Sequence, residues 1–305
     1  MSPAPFTLGP ALLFCPADRP DRYAKALARA DAVILDLEDA VAADHKEAAR
    51  EGLLAHAIDP ARTIVRVNPV GSPEHDADLA ALAGTEYRTV MLPKADGRFV
   101  GPLLAPDGGP YAVVALCETA AGVLAAPALA ARPDVVALAW GAEDLVASLG
   151  GTSSRAPDGG YRDVARHARS AVLLAAGAAG KPAIDAVHLD LDDLDGVRAE
   201  AVDAVASGFA ATMCVHPAHV GAVRAAYAPS DAAVAEASEL LAAAERESDG
   251  GVFALAGHMV DGPLLRHAEA VLRRAGAVRT TPGAPAAASG EQIAAQPAND
   301  EGDRP

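Results

Sequence analysis

A chain of 305 residues, 51% of them hydrophobic, can bury a full core and falls within the usual span of a single α/β barrel. A net charge of -16 excludes a polyanion such as nucleic acid as the main partner, while leaving room for a small anionic substrate met by local Arg and Lys. No apolar run approaches the ~20 residues that span a bilayer, and no basic region with a long apolar stretch follows Met1, so a cytoplasmic protein without membrane association is predicted.

The first short apolar run, 11–17, is followed by an amphipathic, alanine-rich segment at 20–30. The second, 32–39, precedes another such segment at 44–56; runs at 63–69 and 89–95 come next. The fifth, 111–119, leads into 120–131, the sixth, 135–144, into 161–179, and the seventh, 183–187, into 196–207, before the eighth at 211–217. Runs this short, rich in Val, Ile and Leu without period-two alternation, predict parallel strands buried on both faces. Eight β-then-α units spaced by roughly 20 to 50 residues predict a closed (β/α)₈ TIM barrel. A doubly wound open sheet is the alternative; against it, no GxGxxG follows the first run and no GxxxxGK[ST] occurs.

Beyond the eighth run a helix is predicted at about 230–247, then the segment Val252 to Asp261, then a helix at about 263–275. The predicted organisation is therefore a barrel domain at 1–228, a C-terminal helical extension at 229–279 packing on the barrel or a neighbouring subunit, and a tail at 280–305. That tail is rich in Ala, Pro, Gly and acidic residues and is predicted to be disordered, because it cannot offset its ordering entropy. Cys15, Cys117 and Cys214 lie far apart in apolar runs and read as reduced core residues.

Barrel enzymes assemble their sites at the C-terminal ends of the strands, so the polar residues that end each run are the candidates. They are Asp36-Leu37-Glu38-Asp39, Arg66-Val67-Asn68, Pro93-Lys94, Glu118-Thr119, Gly141-Ala142-Glu143-Asp144 and His216-Pro217. Acids ending adjacent strands five and six place Glu118 and Asp144 at one mouth, where repulsion calls for a cation or a shared proton. Oxygen donors without a His/Cys cluster fit Mg²⁺ or Mn²⁺; the alternative is a solvated loop carboxylate or a helix cap. Arg66 at a strand end can grip a carboxylate in two hydrogen bonds or stabilise an oxyanion, or else pair internally with Asp36 or Glu38. Gly141 would allow close backbone approach to a ligand. Arg19, Arg22 and Lys25, just after the first run, suit phosphates or a solvated basic face equally well.

Taken in order, Leu13-Phe14-Cys15-Pro16-Ala17-Asp18-Arg19-Pro20, Ile34-Leu35-Asp36-Leu37-Glu38-Asp39, Val65-Arg66-Val67-Asn68, Met91-Leu92-Pro93-Lys94, Glu118-Thr119, Trp140-Gly141-Ala142-Glu143-Asp144-Leu145 and Gly257-His258-Met259-Val260-Asp261 are similar to the citrate lyase β-subunit-like branch of the HpcH/HpaI aldolase superfamily. The resemblance runs from about Leu12 to Gly276 and implies a TIM-type barrel, usually trimeric, that makes or breaks β-hydroxyacyl-CoA thioesters of the malyl-CoA or citramalyl-CoA type. It implies Glu118 and Asp144 as Mg²⁺ ligands, with Arg66, Glu118, Gly141, Ala142 and Asp144 around the 2-oxoacid. It implies catalytic roles for Arg66, Glu118, Asp36 and Asp261, and places Arg19 and Lys25 at the CoA phosphates. It also implies that Asp261 sits on a lid closing over a neighbouring subunit's site in a homotrimer. Other activities compatible with these residues are a citrate lyase β subunit acting on a carrier-bound citryl group, a malyl-CoA thioesterase, and a noncatalytic CoA- or oxoacid-binding barrel.

Overall fold

Each apolar run forms a strand, and the polar residues that end the runs lie at or just past the strand ends. In chain order the elements are β1 (Ala11–Pro16), α1 (Pro20–Arg29), β2 (Ala32–Asp36), α2 (Lys46–Ala55), β3 (Thr63–Arg66), α3 (His75–Ala83), β4 (Thr89–Leu92) and β5 (Ala112–Cys117). Then follow α4 (Ala120–Ala130), β6 (Val135–Trp140), α5 (Ala142–Ser148), α6 (Asp163–Ala178), β7 (Ala183–Asp185), α7 (Leu194–Ser207), β8 (Ala211–Cys214) and α8 (Pro217–Tyr227). The computed structural model describes residues 4, 6–99, 101–246, 252–255 and 258–280.

The eight strands pair in parallel in sequence order, and β8 closes on β1, giving the (β/α)₈ barrel. Alternate residues divide between two buried shells. Leu12, Ala32, Ile34, Ile64, Met91, Val114, Leu116, Ala137, Ala139, Ile184, Ala211 and Met213 fill one cluster, which their shared parity puts inside the barrel. The other parity, including Leu13, Val33, Leu35, Val65 and Val90, packs in the larger cluster under the helices. Both faces are buried, which is why the runs lack alternation.

One unit departs from the expected pattern. Among the described residues of the connection from β4 to β5 there is no helix, only an isolated antiparallel bridge between Leu104 and Pro110. Residues 96–110 hold three prolines and four glycines, too many for a helix to survive. The three cysteines are free and buried, and burial pushes the Cys117 and Cys214 thiols up to about 12, far from a reactive thiolate.

The chain divides into two compact units, Met1–Pro229 and Ser230 onward. In the second, α9 (Asp231–Arg246) packs against α10 (Gly262–Thr280), and β9 (Phe253–Leu255) pairs antiparallel with β10 (His258–Val260). The tail predicted to be disordered lies, beyond Thr280, outside the described residues.

Candidate active site

Strand parity decides which polar residues enter the barrel mouth. Asp36 follows Ala32 and Ile34, Arg66 follows Ile64, and Glu118 follows Val114 and Leu116, each two residues along from an interior position. All three therefore cap the interior shell. They line a cavity of about 320 Å³ together with Asp39, Gly141, Ala142, Glu143 and Asp144. Phe14, Leu116, Val187, Leu189, Met213 and Val215 form its apolar wall.

Asp36 and Arg66 are direct partners in the β2–β3 register. Arg66 donates from Nε to Oδ1 of Asp36 at 2.7 Å and from Nη2 to Oδ2 at 2.6 Å. Backbone N–H groups of Glu38 and Ala40 donate to the same two oxygens, at 2.9 and 3.1 Å. The fully buried Asp36 carboxylate thus has its oxygens taken up in holding Arg66. The third guanidinium nitrogen, Nη1, lies 2.9 Å from Oε2 of Glu38, and the Phe14 ring packs 4.8 Å from the guanidinium carbon. The internal ion pair and a cavity-lining position coexist on one side chain.

Glu118 sits just past β5. The last rung of the β5–β6 ladder, Cys117 to Trp140, brings Gly141 alongside it. A Cβ at Gly141 would lie 2.9 Å from Oε2 and 3.0 Å from Cβ of Glu118, and φ there is an ordinary extended -134°. Gly141 is therefore required for space against Glu118, and not for an unusual backbone. Oε1 of Glu118 accepts the Lys94 N–H at 3.0 Å; among the described residues no hydrogen bond reaches Oε2. Burial, reinforced by the charges of Glu38 and Asp144, pushes the Glu118 carboxyl up to about 8 against the pull of Arg66 and Lys94.

The sixth strand ends at Trp140, so Asp144 belongs to the first turn of α5 and not to a strand end as expected. A helix N-terminus favours an acid there. Asp144 accepts no hydrogen bond among the described residues, and its Oδ1 lies 3.5 Å from Nζ of Lys94. The same ammonium contacts Oε1 of Glu38 and lies 3.4 Å from Oδ2 of Asp39. Burial works against the charge of Lys94, but its hydrogen bond to Glu38 and the fields of Glu38, Glu118 and Asp144 outweigh it and raise its pKa.

Two predicted residues, Arg19 and Lys25, stand outside the cavity lining. Arg19 is exposed and forks onto the carboxylate of Asp21 two residues away, at 3.0 and 3.1 Å; Lys25 is exposed on α1. Asp261 belongs to the second unit, where its Oδ1 accepts the Leu264 N–H at 3.2 Å and so caps α10. His216, at the end of the eighth run, caps α8 through Nδ1 and does not line the cavity. Sequence reasoning missed the bridging position of Lys94 and the apolar wall on the loops after β7 and β8; the only signal for Lys94 was its place at the end of the fourth run.

A closed parallel barrel whose C-terminal mouth gathers a clamped arginine and two acidic side chains has the architecture of a barrel enzyme. The chain belongs to the HpcH/HpaI aldolase/citrate lyase family, whose model matches residues 11–99 and 107–217, and it is a lyase of that family. The matched stretches contain Asp36, Arg66, Glu118 and Asp144, and the gap between them falls in the helix-free connection after β4. The chain is 55% identical over 268 residues to a citrate lyase subunit beta-like protein of Mycobacterium tuberculosis, covering 88% of this chain and 96% of that one. It is 33% identical over 306 residues to the L-malyl-CoA/beta-methylmalyl-CoA lyase of Rhodobacter capsulatus, covering 90% and 96%. The crystal structure of the protein CitE of Mycobacterium tuberculosis in complex with magnesium, acetoacetate and coenzyme A superposes with a TM-score of 0.80 at 54% identity, covering 88% of this chain and 98% of that one. Among the described residues no helix is long and apolar enough to cross a membrane.

Proposed function

We propose that the chain is a Mg²⁺-dependent CoA-ester lyase that reversibly cleaves a β-hydroxyacyl-CoA of the malyl-CoA or citramalyl-CoA type into a 2-oxoacid and an acyl-CoA. The observation that carries this reading is the pair Glu118 and Asp144, both with carboxylate oxygens clear of hydrogen bonds among the described residues, in one cavity with Arg66. Magnesium and coenzyme A bound to the similar Mycobacterium tuberculosis protein support it, as does the CoA thioester named in the Rhodobacter capsulatus lyase.

The donor set fits a hard divalent ion. Glu118 and Asp144 offer anionic oxygens, while among the described residues no group of three or more His, Cys, Asp or Glu is arranged to enclose a metal. That suits Mg²⁺, which keeps octahedral positions for water and substrate; Mn²⁺ accepts the same donors. When bound, the ion supplies Lewis-acid polarisation of the substrate oxygens. Arg66, aimed by Asp36, grips the oxoacid and balances negative charge on its oxygens. Gly141 and Ala142 present backbone to the same substrate, and Glu118 lies against it. Asp261 exchanges the proton at the acyl α-carbon, delivered by a lid from a neighbouring subunit of a homotrimer, so that activity depends on assembly. Arg19 and Lys25, both exposed, take the CoA phosphates, with Arg19 exchanging Asp21 for the ligand.

The test is incubation of the purified chain with Mg²⁺, acetyl-CoA or propionyl-CoA, and glyoxylate, pyruvate or oxaloacetate in turn, with the thioester identified by mass. One oxoacid and acyl-CoA pair is expected to condense. Failure of every pair, with no cleavage of the matching hydroxyacyl-CoA, overturns the reading. Free CoA appearing beside intact hydroxyacid would instead assign a thioesterase.

A further inference from the structure

The acids around the cavity outnumber the cations. Of the described residues lining it, Asp36, Asp39, Glu118, Glu143 and Asp144 are acidic and only Arg66 is basic, and Arg66 is already engaged by Asp36 and Glu38. Glu118 and Asp144 oppose each other's ionisation, and a cation between them favours the ionised pair. Lys94 touches both. Its backbone N–H fixes Oε1 of Glu118 at 3.0 Å, and its ammonium stands 3.5 Å from Oδ1 of Asp144.

Reaching both requires an unusual backbone. Lys94 has φ of +49°, the left-handed region, and is the one non-glycine residue with positive φ among the described residues. A bulky side chain held there costs on the order of 1 kcal/mol and persists only where its surroundings enforce it. Alternation along β4 gives Lys94 the outward parity of Val90 and Leu92, and the left-handed turn coincides with its return to the mouth. Its ammonium is anchored on the other side by Glu38, which also pairs with Arg66, and by Asp39.

We infer that Lys94 is a positioning residue for the metal pair: a tethered cation that holds Glu118 and Asp144 in place while the ion is absent and lowers the affinity for the ion that replaces it. This rests on the proposed metal-binding role of Glu118 and Asp144. The two functions separate by atom. The N–H that holds Glu118 belongs to the backbone and survives substitution, whereas the charge opposing the ion belongs to the ammonium.

Lys94→Met removes the charge and keeps the N–H. Titration of the metal-free chain with Mg²⁺ by calorimetry is expected to show about tenfold tighter binding in Lys94→Met than in the parent, as expected when a unit charge a few ångströms from a divalent site is deleted. Lys94→Arg is expected to retain the parent affinity. The melting temperature without Mg²⁺ should fall in Lys94→Met, and the gain on adding Mg²⁺ should grow. If the single variant does not fold, Glu38→Gln/Lys94→Met leaves no carboxylate stranded by the lysine and is expected to show the same tightening. Parent binding with unchanged or weaker affinity in the methionine variant overturns the role of Lys94 and leaves the metal site standing. No Mg²⁺ binding by the parent overturns the metal site itself, and the role of Lys94 with it.

Discussion

Asp36 and Arg66, partners on the last rung of the β2–β3 ladder, form a two-pronged ion pair with N–O distances of 2.7 and 2.6 Å at the top of the barrel interior. The pairing turns a flexible arginine into a fixed fork. Asp36→Ala strands a buried guanidinium and is expected to cost about 3–5 kcal/mol in urea unfolding. Asp36→Asn keeps the shape, and should lower kcat/KM about 100-fold because Arg66 loses its aim. An asparagine variant with parent kinetics would show that the pair serves stability alone.

Glu118 is a buried acid with, among the described residues, no compensating hydrogen bond to Oε2, so its place in the fold is unfavourable. Glu118→Gln is expected to abolish Mg²⁺ binding in calorimetry while leaving unfolding stability equal or higher, a trade of stability for function. Asp144→Ala should also abolish binding, with an unchanged far-ultraviolet spectrum because the side chain is partly exposed and accepts no hydrogen bond among the described residues. Full Mg²⁺-dependent turnover in either variant would remove these residues from the metal site.

The pH dependence follows from the Glu118 carboxyl, raised from 4.5 to about 8 chiefly by burial. The folded, metal-free chain holds a proton that the unfolded chain has released, so its contribution to stability is present below about pH 4.5 and is lost as pH rises through about 8. Mg²⁺ needs the carboxylate, so its affinity should rise with pH and level off above about 8, with proton release on binding. Calorimetry in two buffers of different ionisation enthalpy measures that release directly. Affinity that falls over the same range would contradict the assignment.

Gly141→Ala places a methyl 3.0 Å from the root of the Glu118 side chain, where the neighbour has little freedom to move. Mg²⁺ affinity should fall about tenfold or more, with a loss of about 1–3 kcal/mol in stability from overpacking. Combining it with Glu118→Gly, which removes that Cβ, should recover most of the stability and none of the affinity. A Gly141→Ala chain that binds Mg²⁺ normally would show that Glu118 can shift without consequence.

Short Val-, Ile- and Leu-rich runs without alternation carried the barrel in the sequence, because only strands buried on both faces need apolar residues at every position. Polar residues ending those runs located Asp36, Arg66, Glu118 and Asp144, since parallel strands all deliver their C-terminal ends to one mouth. Asp144 lay one helical turn further on than read, because a strand end and a helix start look alike when Gly141 joins them. The Pro- and Gly-rich stretch at 96–110 already forbade a helix between β4 and β5, and an eight-unit pattern passed over it.

Tertiary structure decided what local pattern cannot carry. The match of Asp36 to Arg66 depends on the β2–β3 register, and the need for glycine at 141 depends on the rung after Cys117 and Trp140. Lys94 illustrates the limit. By alternation it points away from the barrel mouth, and its reach to Glu38, Asp39 and Asp144, 56, 55 and 50 positions away in the chain, requires one left-handed residue and three strands closed into the same barrel. Local pattern was enough to bring Asp36, Arg66, Glu118 and Asp144 to the mouth; which of them touch, and that Lys94 joins them, followed from the closure of the sheet, because those contacts link segments that no local periodicity relates.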